Sequence, residues 1–580
     1  MARANIFHTR GARSEPWQLA GAALLVGIAA SIVAMALRGG VHYLFDLSNE
    51  LRSHWWGMLL LPAFGAMLGV FIIRVLFREP GGHGVPSVLE AVTRKGGHMR
   101  RRSIISRLLG SLFNVSAGGS AGLEGPIVYS AAAVGSSIAD AMRMAERQRV
   151  LLLACGVAGG IGAIFNSPLT GMIFAMEVVL AEWTLGALLP IAISATVATE
   201  VPRALSLSTI EGPLQAAGSY TWNGADLVAS GCLGLLAGLV SVALVICIFR
   251  AEGITRKWKT NFATSNLGLV AGLAGLGVGA IGIFMPEAIG EGYGTIANIL
   301  NGTTALSSAL LLLLFAKLIA TTLTLGSNAP GGIFAPSLVL GAILGYGFGG
   351  LLNFLFPEVA FAAPSFFAIA AMAGLVAGSM QAPFTGIMLA LESTGSWEGT
   401  LPLITVSVLS VLVSRTFLRH SFYTWELAER GELMRPGSDR RILSEIRVAE
   451  LLDEESISIT SGSTLDDLTR ELPNTSRNQF AVVDESGRLL GMLSVTSLRG
   501  VIFDEMVRKV TSVDTVMDTT LPALKGESSL LEATDCFEEC GAWVLPVVDA
   551  EGMFIGTLSK SMLFDRYRRE LIVQTADHLE

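Results

Sequence analysis

The chain has 580 residues, of which 51% are hydrophobic and only 15% charged, and it contains 65 glycines. That is too apolar for a soluble protein of this size and suits packed membrane helices, where glycine is frequent. A net charge of −8 argues against a nucleic-acid partner, and five cysteines without a C-x-x-C pair suggest neither a disulfide framework nor a zinc site.

Arg3, Arg10 and Arg13 precede an apolar run from Trp17 to Leu37. The run is long for a signal peptide and lacks a cleavage site. It predicts a first membrane helix with residues 1–16 on the cytoplasmic side. Trp55 to Phe77 is long enough for a second span, with Trp55 and Trp56 at the interface. Gly82-His83-Gly84-Val85-Pro86 is a glycine-rich turn, and the cluster Arg94, Lys95, Arg100, Arg101 and Arg102 reads as a cytoplasmic loop. After Ile104 many apolar segments are short or broken by Gly and Pro. At membrane depth such breaks are tolerated only beside a cavity or within protein.

Gly122-Leu123-Glu124-Gly125-Pro126 is the most informative of these breaks. Two glycines strip side chains from the turn, and Pro126 suits the first turn of a helix, where its missing N–H costs nothing. Free N–H groups at such a helix start make an anion site. Glu124 adds a carboxylate there, and an ionisable residue at membrane depth is functional by default, although it could instead cap its own helix.

The apolar part is an internal repeat. Phe165-Asn-Ser-Pro168-Leu-Thr170-Gly171-Met-Ile-Phe-Ala175-Met-Glu177 matches Met380-Gln-Ala-Pro383-Phe-Thr385-Gly386-Ile-Met-Leu-Ala390-Leu-Glu392 at five positions. Gly122-x-x-x-Pro126 likewise matches Gly332-Ile333-Phe334-Ala335-Pro336. Two halves with interruptions at corresponding places predict a transporter fold with a midplane site between the repeats. The apolar pattern ends near Leu418, and the polar run Arg435 to Arg441 reads as a linker. The tail holds a shorter repeat: Ala481-Val-Val-Asp484 and Gly491-Met-Leu-Ser494 match Pro546-Val-Val-Asp549 and Gly556-Thr-Leu-Ser559. Each copy predicts strand, tight turn, strand and then helix. Cys536 and Cys540 share one face of an amphipathic helix between the copies, which suits packing better than redox chemistry.

The three Gly-rich motifs resemble the anion-binding signatures of the CLC chloride channel and transporter family, and Tyr423 fits the family's pore tyrosine. The resemblance covers about residues 17–425, and the tail resembles a tandem pair of CBS domains. It implies an α-helical multi-pass membrane protein of two inverted repeats with broken helices, halves at about 17–215 and 225–420. A linker over 426–445 then leads to a cytosolic α/β tandem CBS module over 446–580, its copies at about 446–505 and 512–570. It also implies a homodimer in a cell membrane, of the bacterial inner-membrane type, with the N-terminus and tail cytoplasmic. By this resemblance Glu124 is the gate of a chloride path. His83, Gly84, Gly122, Glu124, Gly125, Gly332, Ile333, Phe334 and Tyr423 line its anion sites. Backbone N–H donors suit a permeant anion, which a fixed cation would hold too tightly.

Several residues depart from the family pattern. His83 stands where serine is usual, Leu123 replaces an arginine, and Val178 stands where exchangers carry an inner proton-transfer glutamate. Glu177 belongs to the repeat and reads as structural; Glu182, one helical turn on from Val178, is the alternative inner station beside the outer one, Glu124. The loss at Val178 points to channel-like chloride conduction, with proton–chloride exchange as the alternative. In the tail, Ser497 and Met562 replace the ribose-binding aspartates of nucleotide-binding CBS pairs, which argues against bound adenine nucleotide. No cofactor or metal is expected. A CBS-tailed membrane metalloprotease would need two His at i, i+4 around a Glu, and none of the seven histidines has that spacing. A magnesium transporter would need acidic ligands facing a pore, where these motifs present N–H groups.

Overall fold

The computed structural model describes residues 15–205, 221–261, 267–395, 397–431, 443, 446–453 and 455–577. Arg3, Arg10, Arg13 and the run Arg435 to Arg441 lie outside them. The chain forms two compact units, Met1–Leu433 and Met434–Glu580.

Among the described residues the first unit is built of helices. Its first half comprises α1 (Glu15–Leu47), α2 (Asn49–Arg52), α3 (Trp55–Phe71), α4 (Val85–Arg94), α5 (Ser103–Ser116), α6 (Glu124–Ala141), α7 (Glu146–Phe165), α8 (Pro168–Phe174) and α9 (Leu185–Ala204). The second comprises α10 (Gly224–Asn261), α11 (Leu267–Phe284), α12 (Tyr293–Leu300), α13 (Ala309–Gly326), α14 (Phe334–Leu355), α15 (Pro364–Met380), α16 (Pro383–Thr394) and α17 (Thr400–Phe417). The short α18 (Trp425–Glu429) follows and packs on α4. Among the described residues, eight helices are long and apolar enough to cross a membrane. Pro168–Leu180, Gly268–Phe284 and Pro364–Met380 are apolar but shorter. Of these, Pro168–Leu180 begins at Pro168, one of the breaks that the sequence pattern predicts.

The two halves repeat each other in packing as well as in sequence. Helix α1 packs on α7 and α9 as α10 packs on α15 and α17; α6 packs on α7 as α14 packs on α15. The α6–α7 and α14–α15 contacts are close because they are made by backbone. A Cβ on Gly135 would strike the Leu152 carbonyl, and one on Gly345 would strike that of Phe367. Small residues bring membrane helices together in this way, where no hydrophobic effect drives them.

Reciprocal polar contacts join the halves. Helices α7 and α15 end on left-handed Asn166 and Gln381, with φ of 55° and 54°. Two residues later Pro168 and Pro383 open the next helices, α8 and α16. Such helix starts carry unpaired N–H donors. Glu177 accepts from the N–H groups of Phe384 and Thr385 at 3.1 and 2.7 Å, and from the Thr385 hydroxyl at 2.7 Å. Glu392 returns the contact, accepting from Leu169 and Thr170 N–H at 3.0 and 2.8 Å and from the Thr170 hydroxyl at 2.9 Å. Each repeat glutamate thus caps the opposite half's helix.

The second unit holds two three-stranded sheets, each with one parallel and one antiparallel pair. The first has β1 (Ser458–Thr460), β2 (Gln479–Val483) and β3 (Leu489–Ser494); the second has β4 (Leu524–Lys525), β5 (Val544–Val548) and β6 (Phe554–Ser559). Gln479 faces Ser494 and Val544 faces Ser559, and both hairpins carry a bulge at the matching place. The expected helix after the second hairpin is present at Lys560–Asp577. After β3 the chain instead makes turns, with the Ser497 hydroxyl donating to the Ser494 carbonyl at 2.7 Å, and a helix forms only at Glu505–Val510. Short polar side chains that bond nearby backbone compete with helix in this way. The copies exchange their leading segments: Arg447 bridges to Ser529 and Thr464 to Ser512. Val448 and Leu451 accordingly sit in the second copy's core, and Val513 in the first's.

Candidate functional site

Three loops converge where the two halves of the first unit meet. The Gly122 and Gly332 turns pair with each other, each N–H donating to the other's carbonyl at 2.8 Å. Corresponding residues of the two repeats therefore bond across the boundary. Asn114 Nδ2 donates to the Pro330 carbonyl at 2.8 Å, and Ser120 N–H to the Thr324 hydroxyl at 3.1 Å, which fixes both turns from behind. The third loop, Gly82–Gly84, lies against the first: a Cβ on Gly125 would come within 2.8 Å of the His83 carbonyl. Arg107 holds this loop by donating to the carbonyls of Gly82 and Pro80. Gly84 precedes α4 with φ of 89°, a conformation that a side chain would strain.

Helix α6 begins at Glu124 and α14 at Phe334, and their preceding residues Leu123 and Ile333 share nearly the same backbone angles. Their first intrahelical bonds come from Ile127 and Ser337. The N–H groups before those residues are the ones a helix start leaves open to an anion. The Glu124 side chain fills the space between the turns. It is 1% exposed, and its Oε2 lies where a Cβ on Gly122 would be and 3.4 Å from one on Gly332. Oε1 accepts from the Tyr293 hydroxyl at 2.7 Å, and Oε2 has no hydrogen-bond partner among the described residues.

Aromatic rings wall this space. Phe334 stacks obliquely on Phe165 at 5.2 Å and Phe174 at 6.1 Å, and Phe174 meets Tyr423 edge-on at 6.3 Å. Tyr423 is buried and within electrostatic reach of Glu124. The predicted residues Gly84, Gly122, Glu124, Gly125, Gly332, Ile333, Phe334 and Tyr423 thus surround one buried region. His83 joins it through its backbone, and its ring packs on an aromatic neighbour. It is 5% exposed and lies 4.8 Å from the Phe422 ring.

Glu182 is not one helical turn beyond Val178. A π-helical turn, Ala175–Leu180, ends α8, and Ala181 then adopts a left-handed φ of 53°. The chain leaves the helix there, with Glu182 N–H closing on the Met176 carbonyl at 3.2 Å. Val178 packs against the apolar core.

Several polar residues at the site are absent from the sequence reading. Tyr293 begins α12, and Glu291, two residues earlier, interacts electrostatically with Glu124, Arg38 and Lys317. Lys317 is fully buried and donates to the Gly290 carbonyl at 2.8 Å. Lys317 had a signal: a lysine inside the apolar run of α13 is costly unless it has a role. Tyr293 had none, since its partner lies 169 residues away.

The family model described as "Voltage gated chloride channel" matches residues 64–415, and that described as "CBS domain" matches residues 448–504. The H(+)/Cl(-) exchange transporter ClcA of Vibrio cholerae is 34% identical over 413 residues, covering 69% of this chain and 87% of that protein. The crystal structure of a slow cyanobacterial Cl-/H+ antiporter superposes with a TM-score of 0.64 at 22% identity, covering 72% of this chain and 98% of its own. That of a eukaryotic CLC transporter superposes with a TM-score of 0.62 at 20% identity, covering 94% and 98%.

Proposed function

The chain belongs to the CLC family of voltage-gated chloride channels and transporters, multi-pass membrane proteins of anion transport, and from that premise we propose that it exchanges chloride for protons. The observation that carries this reading is the Glu124 carboxylate seated between the two paired glycine turns. An anion site that a carboxylate can fill is a site where chloride and proton compete. When Glu124 is ionised it occupies the site; when it takes a proton it has no charge to hold there, and chloride enters. One side chain then links the two fluxes with opposite sign.

The loss of the inner glutamate at Val178 favours channel-like conduction, but the relatives favour exchange. The curated protein cited above, matched over most of its length, is named an exchanger. A proton relay needs titratable groups in reach of one another, and it does not need them at one fixed position. In this reading the N–H groups of Ile333 and Phe334 and the Tyr423 hydroxyl hold the central anion, and the His83–Gly84 loop supplies the inner end of the path. The protein acts as a homodimer with one path per subunit, with its N-terminus and tail in the cytoplasm.

Liposomes holding the full chain test the reading. A chloride gradient is imposed, and chloride and proton movements are recorded together. Uphill proton movement driven by chloride is expected. Chloride flux without it would return the protein to the channel-like reading.

A further inference from the structure

Two buried ionisable side chains meet beside the candidate path. His83 Nε2 lies 3.9 Å from Glu252 Oε2, and the two residues are 5% and 8% exposed. His83 comes from the loop before α4 in the first half, and Glu252 from α10 in the second. Nε2 has no hydrogen-bond partner among the described residues, and 3.9 Å leaves no room for a water between the groups. An approach of about 1 Å makes a direct bond. Ionisable residues buried at membrane depth are costly and point to ion pathways.

The position supplies both ends of a relay. Toward the site, the His83 carbonyl abuts Gly125, next to Glu124, and the His83 ring rests on Phe422, next to Tyr423. Toward water, Arg256 lies four residues on from Glu252 along α10, about one helical turn. Arg256 is about half-exposed and binds Glu429 of α18 at 3.1 Å. The pair therefore stands about one helical turn from a half-exposed residue, and the His83 backbone touches the gate's own turn at Gly125. Other charged groups face it from neighbouring elements. Glu426 of α18 lies near Gly82 and binds Arg430, and Arg107 of α5 holds the loop that carries His83.

We propose that His83 and Glu252 form the inner proton station of this exchanger. The inference rests on the exchange reading above. Glu252 takes a proton from the aqueous side and passes it to His83 Nε2, leaving a carboxylate beside an imidazolium. The imidazolium then releases its proton toward Glu124 as the anion path empties. Histidine suits this step because its charge changes near neutral pH.

The test measures chloride ions moved per proton in liposomes with the full chain. Glu252→Gln and His83→Gln are each expected to raise that ratio at least about tenfold, because proton transfer loses a positioned carrier. Glu252→Asp, which keeps the acid on a shorter stem, should recover part of the coupling that Glu252→Gln loses. A Glu252→Gln protein that pumps at the parent's ratio would overturn the proposal and leave exchange standing. So would loss of coupling in Glu182→Gln with none in Glu252→Gln, which assigns the station to Glu182. If the parent itself moves no protons, it is the exchange reading that falls. Chloride flux recorded in the same vesicles reports that each variant is folded, so a changed ratio in a protein that still moves chloride reads the relay. Parent-like ratios in both Glu252→Gln and His83→Gln would overturn it.

Discussion

The turns before α6 and α14 share a backbone and differ in side chain. Leu123-Glu124 and Ile333-Phe334 enter their helices with nearly the same angles, and the two turns bond to each other through Gly122 and Gly332. One turn then presents a carboxylate and the other a benzyl ring. The pair Glu177 and Glu392 behaves oppositely: both halves keep the acid, and each caps the other's helix. Where the repeats agree, the residue builds the scaffold. Where they disagree, the symmetric scaffold offers a place for chemistry that only one half supplies.

That contrast is sharpest at Glu124. Glu124→Gln makes the first turn as neutral as the second. Proton flux should fall about a hundredfold or more, and chloride flux should lose its pH dependence. Paired flux recordings across a pH series check this, and an unchanged pH profile would mean that Glu124 is not the gate. The symmetric acids should respond as equals. Glu177→Ala and Glu392→Ala each strand the N–H and hydroxyl of a buried threonine, Thr385 or Thr170, at a half-buried helix start, which should cost about 1–2 kcal/mol apiece. Thermal denaturation in detergent measures both, and clearly unequal losses would break the equivalence of the halves. A smaller effect is expected at Tyr293, whose hydroxyl donates to the unmatched acid. Tyr293→Phe removes about 1 kcal/mol of that hold. The carboxylate then competes less well, and chloride should bind a few-fold tighter by calorimetry.

The tail's repeat gives the smallest test. Asp484 accepts from the Ser486 hydroxyl at 2.6 Å and from the Arg488 and Ser486 N–H groups at 2.9 and 2.8 Å. These bonds hold its carboxyl below the ordinary carboxylate value, the Ser486 hydroxyl contributing most. A carboxyl depressed in the fold stabilises above its unfolded value of about 3.9 and loses that contribution as pH falls toward the folded value. The β2–β3 hairpin should loosen in acid below about pH 4, and Asp484→Asn should lower stability at neutral pH while removing that step. Hydrogen exchange of the hairpin amides reads both. An acid step that survives in Asp484→Asn would assign it to another group.

Much of this was legible in the chain itself. Apolar content and broken segments specify a membrane fold of interrupted helices, because unpaired backbone cannot face lipid. The offset matches of Pro168 with Pro383 and of Gly122 with Gly332 specify two halves, and the Gly-Pro turns specify helix starts that can receive an anion. Local order decides these features, so sequence order carries them. Which groups face one another was decided only in three dimensions. Tyr293 reaches Glu124 across 169 residues, and Glu177 caps α16 rather than its own helix. Ala181 turned left-handed and took Glu182 off the helix that spacing alone would continue. His83 met Glu252 from the opposite half. Hydrogen bonds and ion pairs act over a few ångströms of space, and in a repeat folded onto itself those ångströms join residues that the chain keeps far apart.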